Sequence, residues 1–242
     1  MSAPPQGVLY MLPSALDSRA LWHADTPTTV RECAHRLDYF LVESAKSARA
    51  TLKRLEHPTP LRELDIVELP PERGGSPLRA LLEPVRAGRS AGVISDAGCP
   101  GVADPGALVV RAAHAMGIEV VPLVGPSSIL LGLMASGLNG QSFAFHGYLP
   151  VDDAERARAL AALEKTSAQL RQTQLFIETP YRNLKMFETL RAHCRGDTLL
   201  CIASALTAPD QYVRTLTVAQ WKAADVARID RRPTLFLLLA GT

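Results

Sequence analysis

The chain has 242 residues, with 26 Lys plus Arg against 24 Asp plus Glu, so its formal net charge is +2. Hydrophobic residues make up 47% and charged residues 21%, an ordinary globular composition that excludes a disordered chain, a collagen-like fibre and a small disulfide scaffold. The weak positive charge neither identifies nor excludes a polyanionic partner. The length allows one large domain or two of roughly 100–140 residues.

Cysteine usage and the N-terminal residues bear on where the protein works. Cys33, Cys99, Cys194 and Cys201 form no CxxC pair, so the commonest zinc and thioredoxin-type spacings are missing. The first residues lack the basic start and apolar run of a signal peptide, and no apolar stretch approaches the ~20 residues that a membrane-spanning helix needs. We therefore expect a cytoplasmic protein with free thiols and no membrane association.

The first half of the chain alternates short apolar runs with longer helical patterns. The apolar runs predict buried strands over 7–12, 38–43, 91–95 and 118–123. The helical patterns occupy 45–55, 76–87 and 105–116. Ser76-Pro77 and Asp104-Pro105 each place a capping side chain before a proline, as is typical of a helix start. This alternation predicts a mainly parallel sheet with helices on its faces.

A second set of elements follows a short joint at Gly125-Pro126. A helix of small and apolar residues is predicted over 128–136, and Gly137 ends it. Strands are predicted over 143–149, 174–178, 198–204, 211–216 and 234–239, with helices over 152–170, 180–193 and 218–225. We therefore predict two α/β domains, residues 1–124 and residues 125–242.

Several common motifs are missing. The sequence has no GxGxxG, GxxxxGK[ST], HExxH or GxSxG, so simple dinucleotide, nucleoside-triphosphate, metalloprotease and hydrolase interpretations lose their usual support. The six histidines have no metal-ligand spacing, and each is better explained by a surface position or a local hydrogen bond. No metal site is predicted.

The segment Ser95–Gly106 (SDAGCPGVADPG) is the most informative one. It follows a predicted strand and precedes a predicted helix, the position at which open α/β sheets bind ligands. Its three glycines would let a ligand approach the backbone closely, and Asp96 and Asp104 add acceptors. The alternative is that Asp104 only caps the helix and Asp96 only stabilises a turn. Twelve residues exceed the ~2–6 that a tight connection needs, which favours a ligand-binding role.

A second candidate is the segment 124–128 (VGPSS). It also follows a strand and opens a helix, so its free N–H groups and two hydroxyls would suit a carboxylate. A plain hinge explains this segment equally well.

Taken together, these segments resemble the tetrapyrrole (corrin/porphyrin) methylase superfamily of S-adenosylmethionine-dependent methyltransferases. The resemblance is greatest to its branch of small-subunit ribosomal RNA (cytidine-2′-O-) methyltransferases. The matching segments keep their order along the chain: SDAGCPGVADPG at 95–106, VVPLVGPSSILLGLMASGL at 120–138, FAFHGYLP at 143–150, QLFIETPYR at 174–182 and RRPTLFLL at 231–238.

This resemblance implies the tetrapyrrole methylase fold, in which two α/β domains, the first with a mainly parallel sheet and the second with a mixed sheet, hold S-adenosyl-L-methionine in a cleft between them, in a homodimer. Carried over position by position, the cofactor-binding residues would be Leu16, Asp96, Gly98, Cys99, Val102, Asp104, Ser127, Ser128, Phe176, Ala203 and Thr234. The apolar members suit an adenosine slot, and the two serines suit the amino-acid end. The resemblance assigns no catalytic residue; His146, Glu178 and Tyr181 lie on matching segments, but orientation or packing is favoured for each.

Three substrate-side segments depart from the ribosomal RNA branch. Residues 12–17 read LPSALD where the branch has a Pro-x-Gly-Asn turn, 42–46 read VESAK where it has Ala-Glu-Asp-Thr-Arg, and 204–208 read SALTA where it has Arg-Glu-Leu-Thr-Lys. Loss of charged groups should weaken a grip on RNA phosphates. The methyl acceptor is therefore open between ribosomal RNA, methylated on the 2′ oxygen, and a tetrapyrrole-like small molecule. A catalytically silent sensor or scaffold that binds S-adenosylmethionine is the alternative from another class.

The positions of five arginines would distinguish an RNA acceptor from a small-molecule acceptor. An RNA acceptor requires that Arg182, Arg191, Arg195, Arg231 and Arg232 converge on one face, whereas a dispersed, solvated set is slightly favoured by the low net charge. The low aromatic content of 5% disfavours stacking platforms for bases without excluding recognition of RNA by shape.

Overall fold

The computed structural model describes residues 6–17, 19, 22–70 and 75–241. The chain divides into two compact units, Met1–Ser127 and Ser128–Thr242. Each unit contains one five-stranded sheet, the first entirely parallel and the second mixed. The predicted fold class, two α/β units of these two kinds, is confirmed.

The strands of the first unit are β1 (Val8–Leu12), β2 (Tyr39–Val42), β3 (Asp65–Glu68), β4 (Ala91–Ile94) and β5 (Glu119–Pro122). They lie in the order β3-β2-β4-β1-β5. The helices are α1 (Trp22–Asp25), α2 (Thr28–His35), α3 (Ala45–Arg54), α4 (Gly75–Arg86) and α5 (Ala107–Ala115). The continuous apolar runs of β2 and β4 are buried along their whole length, because helices cover both faces of the sheet.

The two faces of this sheet carry different helices. On one face Val30 of α2 and Leu52 of α3 pack with Phe40 of β2. On the other face α4 and α5 pack against the sheet through residues such as Leu82 and Val109. The neighbouring strands β1 and β4 are therefore followed by connections that leave toward opposite faces. Such a switch point opens a crevice at the carboxyl ends of the two strands, where open α/β sheets bind ligands.

Several local features of this unit differ from the sequence predictions. The sequence predicts neither helices α1 and α2 nor strand β3, and β3 is a short edge strand without buried residues. Helix α5 was predicted to start at Pro105 with Asp104 as its cap, but it begins at Ala107 after Gly106, whose φ of 139° favours glycine, and no side chain caps it. The capping role of Asp104 is therefore wrong, because the backbone turns through two more residues before the helix begins.

The second unit contains β6 (Phe143–Tyr148), β7 (Thr173–Glu178), β8 (Leu199–Ser204), β9 (Tyr212–Thr217) and β10 (Thr234–Leu239), in the order β6-β7-β10-β8-β9. Its α-helices are α6 (Ser128–Ser136), α7 (Asp153–Leu170) and α8 (Asn183–His193). The predicted helix over 218–225 is wrong, since the chain there forms two 3-10 segments, Val218–Gln220 and Ala223–Ile229. A further 3-10 turn, Pro180–Arg182, precedes α8.

The mixed topology brings three chain segments to one edge of the second sheet. Strand β10 runs antiparallel to both β7 and β8, and Thr234 at its start pairs with Glu178 and with Ser204 at their ends. Behind this edge, Phe176 and Phe236 stack in the core with their ring centroids 5.8 Å apart. No helix in the described residues is long and apolar enough to span a membrane.

Candidate functional site

The connections after β1 and β4 are joined by their backbones. The Ser14 N–H donates to the Gly98 carbonyl at 2.8 Å, and the Gly98 N–H donates to the Ser14 carbonyl at 3.1 Å. The buried Ser14 hydroxyl also donates to the Ser95 carbonyl at 2.8 Å. The loop Ser95–Gly106, named the β4 loop below, is thus held beside the turn that follows β1, at the crevice between the two strands.

Glycine is required at the centre of this arrangement. Gly98 has a φ of +72°, and a Cβ built on it would lie 3.4 Å from Leu16 Cδ2 and 3.6 Å from the Pro126 carbonyl oxygen. The neighbouring Cys99 thiol donates to the Pro126 carbonyl at 3.5 Å. The β4 loop therefore contacts both the residue that follows β1 and the segment that follows β5, all within the first unit.

An acidic group lies at the same edge. Glu43, directly after β2, accepts a hydrogen bond from the Asp96 N–H at 3.0 Å. The pKa of the half-buried Asp104 is raised to about 6, mainly by burial and further by the charges of Glu43 and Asp96, while a hydrogen bond with Ser95 opposes the shift. Because the Asp104 carboxylate is desolvated beside two other carboxylates, a bound cation or hydrogen-bond donor would stabilise its charged form.

The thiol of Cys99 responds to the same surroundings. Burial raises its pKa, and the charge of Asp104 raises it further. Cys99 is therefore a protonated thiol that donates to the backbone rather than a reactive thiolate. The described residues contain no group of three or more His, Cys, Asp or Glu side chains placed to hold a metal ion.

Most of the cofactor-binding residues suggested by the resemblance lie at this edge of the first unit. Leu16, Gly98 and Cys99 surround the contact with Pro126, and Asp96 and Asp104 belong to the acidic group. Val102, in the same loop, is 48% exposed and offers apolar surface there. Ser127 and Ser128 follow Pro126, the second as the first residue of α6.

Three further predicted residues belong, like Ser128, to the second unit. Phe176 is fully buried against Phe236, so its side chain belongs to the core and only its backbone is available to a ligand. Ala203 is buried and lies beside α6. A Cβ built on Gly132 of this helix would be 3.5 Å from the Cβ of Ala203. Thr234 is buried in a polar cluster at the edge formed by β7, β10 and β8. A role for all three in cofactor binding stays a prediction.

Asn183, which the sequence did not single out, organises that polar cluster. Its Nδ2 donates to the carbonyls of Ile229 and Arg232 at 2.9 and 2.7 Å and to the Thr234 hydroxyl at 3.2 Å. Thr234 in turn donates to Ser204 Oγ at 3.0 Å. Asn183 stands at the first position of α8, and nothing in its local sequence distinguishes it from an ordinary helix-start residue.

Backbone strain is concentrated near this polar cluster, where β7, β10 and β8 meet in the second unit. Ala205, Thr207 and Arg231 have φ values of 49°, 70° and 55°, in the left-handed region that disfavours side chains. Asn183 Oδ1 and Thr207 Oγ1 are buried without a hydrogen-bond partner. Left-handed residues and unpartnered polar atoms of this kind gather at functional edges of proteins.

The five arginines do not form one basic face. Arg182, Arg231 and Arg232 lie at the start of α8, where the Arg231 N–H donates to the Pro180 carbonyl and Asn183 donates to the Arg232 carbonyl. Arg191 and Arg195 belong to the opposite end of this helix, about 14 Å away or more at 1.5 Å per residue. Ion pairs at 2.6–2.9 Å join Arg182 to Glu178, Arg195 to Asp197 and Arg232 to Asp210.

Comparisons with known proteins agree with this architecture. Residues 44–221 match the family model of the tetrapyrrole (corrin/porphyrin) methylases. The ribosomal RNA small subunit methyltransferase I of Pseudomonas aeruginosa is 33% identical over 160 residues, which cover 65% of this chain and 55% of that protein. The protein of the same name from Bacillus subtilis is 29% identical over 201 residues, covering 83% of this chain and 64% of the relative. The matches thus span between about half and two thirds of these relatives.

A solved structure shares the fold. The crystal structure of the methyltransferase CobJ superposes with a TM-score of 0.62, covering 97% of this chain and 99% of CobJ at 17% sequence identity. The predicted resemblance is confirmed by the family match, which spans most of the chain, and by relatives from the ribosomal RNA branch. The chain belongs to the tetrapyrrole (corrin/porphyrin) methylases.

Proposed function

We propose that the protein is an S-adenosylmethionine-dependent methyltransferase whose acceptor is a 2′ oxygen of ribosomal RNA. The observation that carries the proposal is the convergence of the β4 loop with the turn after β1 and with Pro126, at the switch point of a sheet in a methylase fold. The names of the relatives from Pseudomonas aeruginosa and Bacillus subtilis support ribosomal RNA as the acceptor. The five arginines do not meet the requirement of one basic face, so the choice of acceptor rests on these names.

The residues of the first unit fit S-adenosylmethionine by their chemistry. The carboxylates of Asp96 and Asp104 suit the hydroxyls and the cationic groups of this molecule, and Leu16 and Val102 offer apolar surface to adenosine. The carboxylate end would be repelled by the acidic group, so it needs neutral donors. Ser127 and Ser128, where the chain enters α6, supply hydroxyls and free N–H groups for that purpose.

When bound, S-adenosylmethionine supplies a methyl group on a sulfonium, which is itself a good leaving group. The protein's contribution is then to hold the acceptor oxygen in line with the methyl carbon, at ~3–3.5 Å from it. The acceptor hydroxyl loses its proton to solvent as the sulfonium becomes a neutral thioether. The rigid pairing of Ser14 with Gly98 fixes the two connections that would position the adenosine.

No general base is assigned. His146 is hydrogen-bonded to Gln174 Oε1 at 2.6 Å. Glu178 is buried, and its Oε1 accepts from the Thr179 N–H at 2.6 Å and from Arg182 Nη2 at 2.8 Å. Both side chains are therefore engaged within the second unit, which favours a positioning role. We include in the proposal that the enzyme is a homodimer in the cytoplasm, as the resemblance implies.

The direct test is methyl transfer. Purified protein is incubated with S-adenosylmethionine labelled in the methyl group and with a fractionated bacterial lysate, and the label is followed into RNA, protein and small molecules. Label in ribosomal RNA, mapped by mass spectrometry to one methylated ribose, supports the proposal. Label in a tetrapyrrole-like molecule would show that the methyl acceptor is a small molecule and would contradict an RNA acceptor. Binding of S-adenosylmethionine without any transfer favours a silent sensor, a function that the three altered substrate-side segments also suggest.

A further inference from the structure

The start of α8 carries an exposed aromatic ring in a rigid setting. Tyr181 is 73% exposed, the second largest exposure among the large hydrophobic residues at the described surface of this unit. The Arg182 guanidinium lies over this ring, 5.7 Å from its centroid. Leu184, three residues later, is 37% exposed. We name Tyr181, Arg182, Leu184 and Arg231 the Tyr181 surface.

Hydrogen bonds to buried groups hold this surface in place. Arg182 donates through Nε and Nη2 to Glu178 Oε1 at 3.0 and 2.8 Å, and the Glu178 side chain is only 2% exposed. The Arg182 N–H donates to the Thr179 carbonyl at 2.9 Å, which closes the turn that carries Tyr181. An exposed ring on such a support loses little conformational entropy when a ligand binds.

A positive charge lies beside the ring. The backbone N–H of Arg231 donates to the Pro180 carbonyl at 3.1 Å, which places Arg231 next to the residue that precedes Tyr181. Arg231 is exposed, its backbone is left-handed, and no ion pair to a carboxylate is found for it among the described residues. The charges of Arg182 and Arg232, in contrast, are balanced by Glu178 and Asp210.

We propose that the Tyr181 surface binds one unstacked base of a single-stranded RNA segment, with the base on the free face of Tyr181 and a neighbouring phosphate on Arg231. This inference rests on the proposed function and names the part of the acceptor that the second unit recognises. The guanidinium of Arg182 covers one face of the ring, which leaves the other face for a planar partner. A base supplies the planar ring, and the neighbouring phosphate supplies the negative counter-charge that Arg231 lacks.

The test measures binding of a short, labelled, single-stranded RNA of mixed sequence by fluorescence anisotropy, without methyl transfer. Stacking on an aromatic side chain contributes about 1–3 kcal/mol per base, so Tyr181→Ala should weaken binding by about 5- to 150-fold. Tyr181→Phe should bind as the wild type does. Arg231→Gln should lower the slope of log K against log salt by about 0.7, the value for one phosphate contact in a single strand.

The matched control is Arg195→Gln, which removes an exposed arginine already paired with Asp197 at the other end of α8 and should leave RNA binding unchanged. The inference is overturned if the wild type does not bind the RNA, if Tyr181→Ala binds as tightly as the wild type, or if a duplex of the same sequence is bound equally well. Calorimetry with S-adenosylhomocysteine separates the two proposals. If the wild type does not bind S-adenosylhomocysteine, the proposed methyltransferase function is refuted. RNA binding that depends on Tyr181 would still support the proposed role of the Tyr181 surface.

Discussion

Ser14 and Gly98 exchange a pair of backbone hydrogen bonds, at 2.8 and 3.1 Å, between two connections that are more than 80 residues apart in the chain. Because Gly98 is left-handed, the β4 loop can turn back toward Leu16 and Pro126 immediately after this contact. The pair therefore sets the shape of the edge at which we place S-adenosylmethionine.

Substitution of Gly98 by alanine tests this relationship. A left-handed backbone costs an alanine about 1–2 kcal/mol, so Gly98→Ala should lower the free energy of unfolding by that amount. The new Cβ would also lie 3.4 Å from Leu16 Cδ2 and narrow the proposed adenosine slot. We expect S-adenosylhomocysteine to bind at least tenfold more weakly by calorimetry.

Gly117→Ala is the control for backbone strain. Gly117 has a φ of +70° at the end of α5, and a Cβ there would meet nothing within 4 Å. Its stability loss should resemble that of Gly98→Ala, while the affinity for S-adenosylhomocysteine should not change. An equal loss of affinity in both variants would show that the effect comes from stability alone.

Asp104 should make the stability of the ligand-free protein depend on pH. Its pKa is raised from 3.8 to about 6 by burial and by Glu43 and Asp96, so folding favours its protonated form. This contribution to stability is complete below pH 3.8 and is lost as the pH rises through about 6. Asp104→Asn, which stays neutral, should be more stable than the wild type above pH 6 by about 1 kcal/mol, since the half-exposed group is screened by solvent.

The measurement is urea unfolding of both proteins between pH 4 and pH 8, with the difference in free energy plotted against pH. This difference should grow from pH 4 to about pH 6, the pKa of Asp104, and then level off. Weaker binding of S-adenosylhomocysteine by the more stable variant would link Asp104 to the site. A difference that is constant over the whole range would contradict the raised pKa.

Cys99 should react slowly and should be protected by ligand. All four cysteines are free, but Cys33 and Cys201 are buried, and burial raises the pKa of Cys194 to about 12. Because burial and Asp104 also raise the pKa of Cys99, alkylation by iodoacetamide at pH 8 should be slower than that of free cysteine. Peptide mass spectrometry should find Cys99 labelled before the two buried cysteines, with further slowing by S-adenosylhomocysteine. Labelling at the rate of free cysteine would contradict the raised pKa of Cys99.

The ion pair between Glu178 and Arg182 should stabilise the second unit. Glu178 is 2% exposed and Arg182 is 24% exposed, so Glu178→Gln leaves a partly buried guanidinium without its counter-charge. We expect a loss of about 2 kcal/mol in thermal or urea unfolding, below the 3–5 kcal/mol typical of a fully buried pair. Asp197→Asn removes a fully solvated partner of Arg195 and should leave stability unchanged within error. Equal losses of stability in Glu178→Gln and Asp197→Asn would contradict a larger contribution of the buried ion pair than of the exposed one.

Much of this architecture could be predicted because the signals are local. Apolar runs such as 91–95 are buried strands, and the turn-rich segment 95–106 follows one of them, so the position of the β4 loop at the sheet edge could be predicted. Edge strand β3 was missed because DIVE is short and has only two apolar residues between two acidic ones, which is neither an alternating nor a continuous apolar run. The capping role given to Asp104 failed because Asp-Pro is a start signal only when the proline takes the first helical turn, and here Gly106 redirects the chain.

Site residues could be predicted only where they lie together in one continuous segment of the sequence. Glu43 appeared in the sequence only as part of a segment that departs from its relatives, and its contact with the Asp96 N–H depends on β2 and β4 being neighbours. Asn183 contacts Ile229, Arg232 and Thr234, which are about fifty residues away, so no local pattern marks it. Pairings of this range follow from strand order, which a single sequence does not reveal.

Titration calorimetry of the full chain with S-adenosylhomocysteine, on the wild type and on Asp96→Ala, is the most direct check of the assigned chemistry. The account requires saturable heat from one ligand per chain in the wild type and a clear loss of affinity once the exposed carboxylate of Asp96 is removed. Absence of any binding heat with S-adenosylhomocysteine or S-adenosylmethionine, from protein shown to be folded, would contradict it.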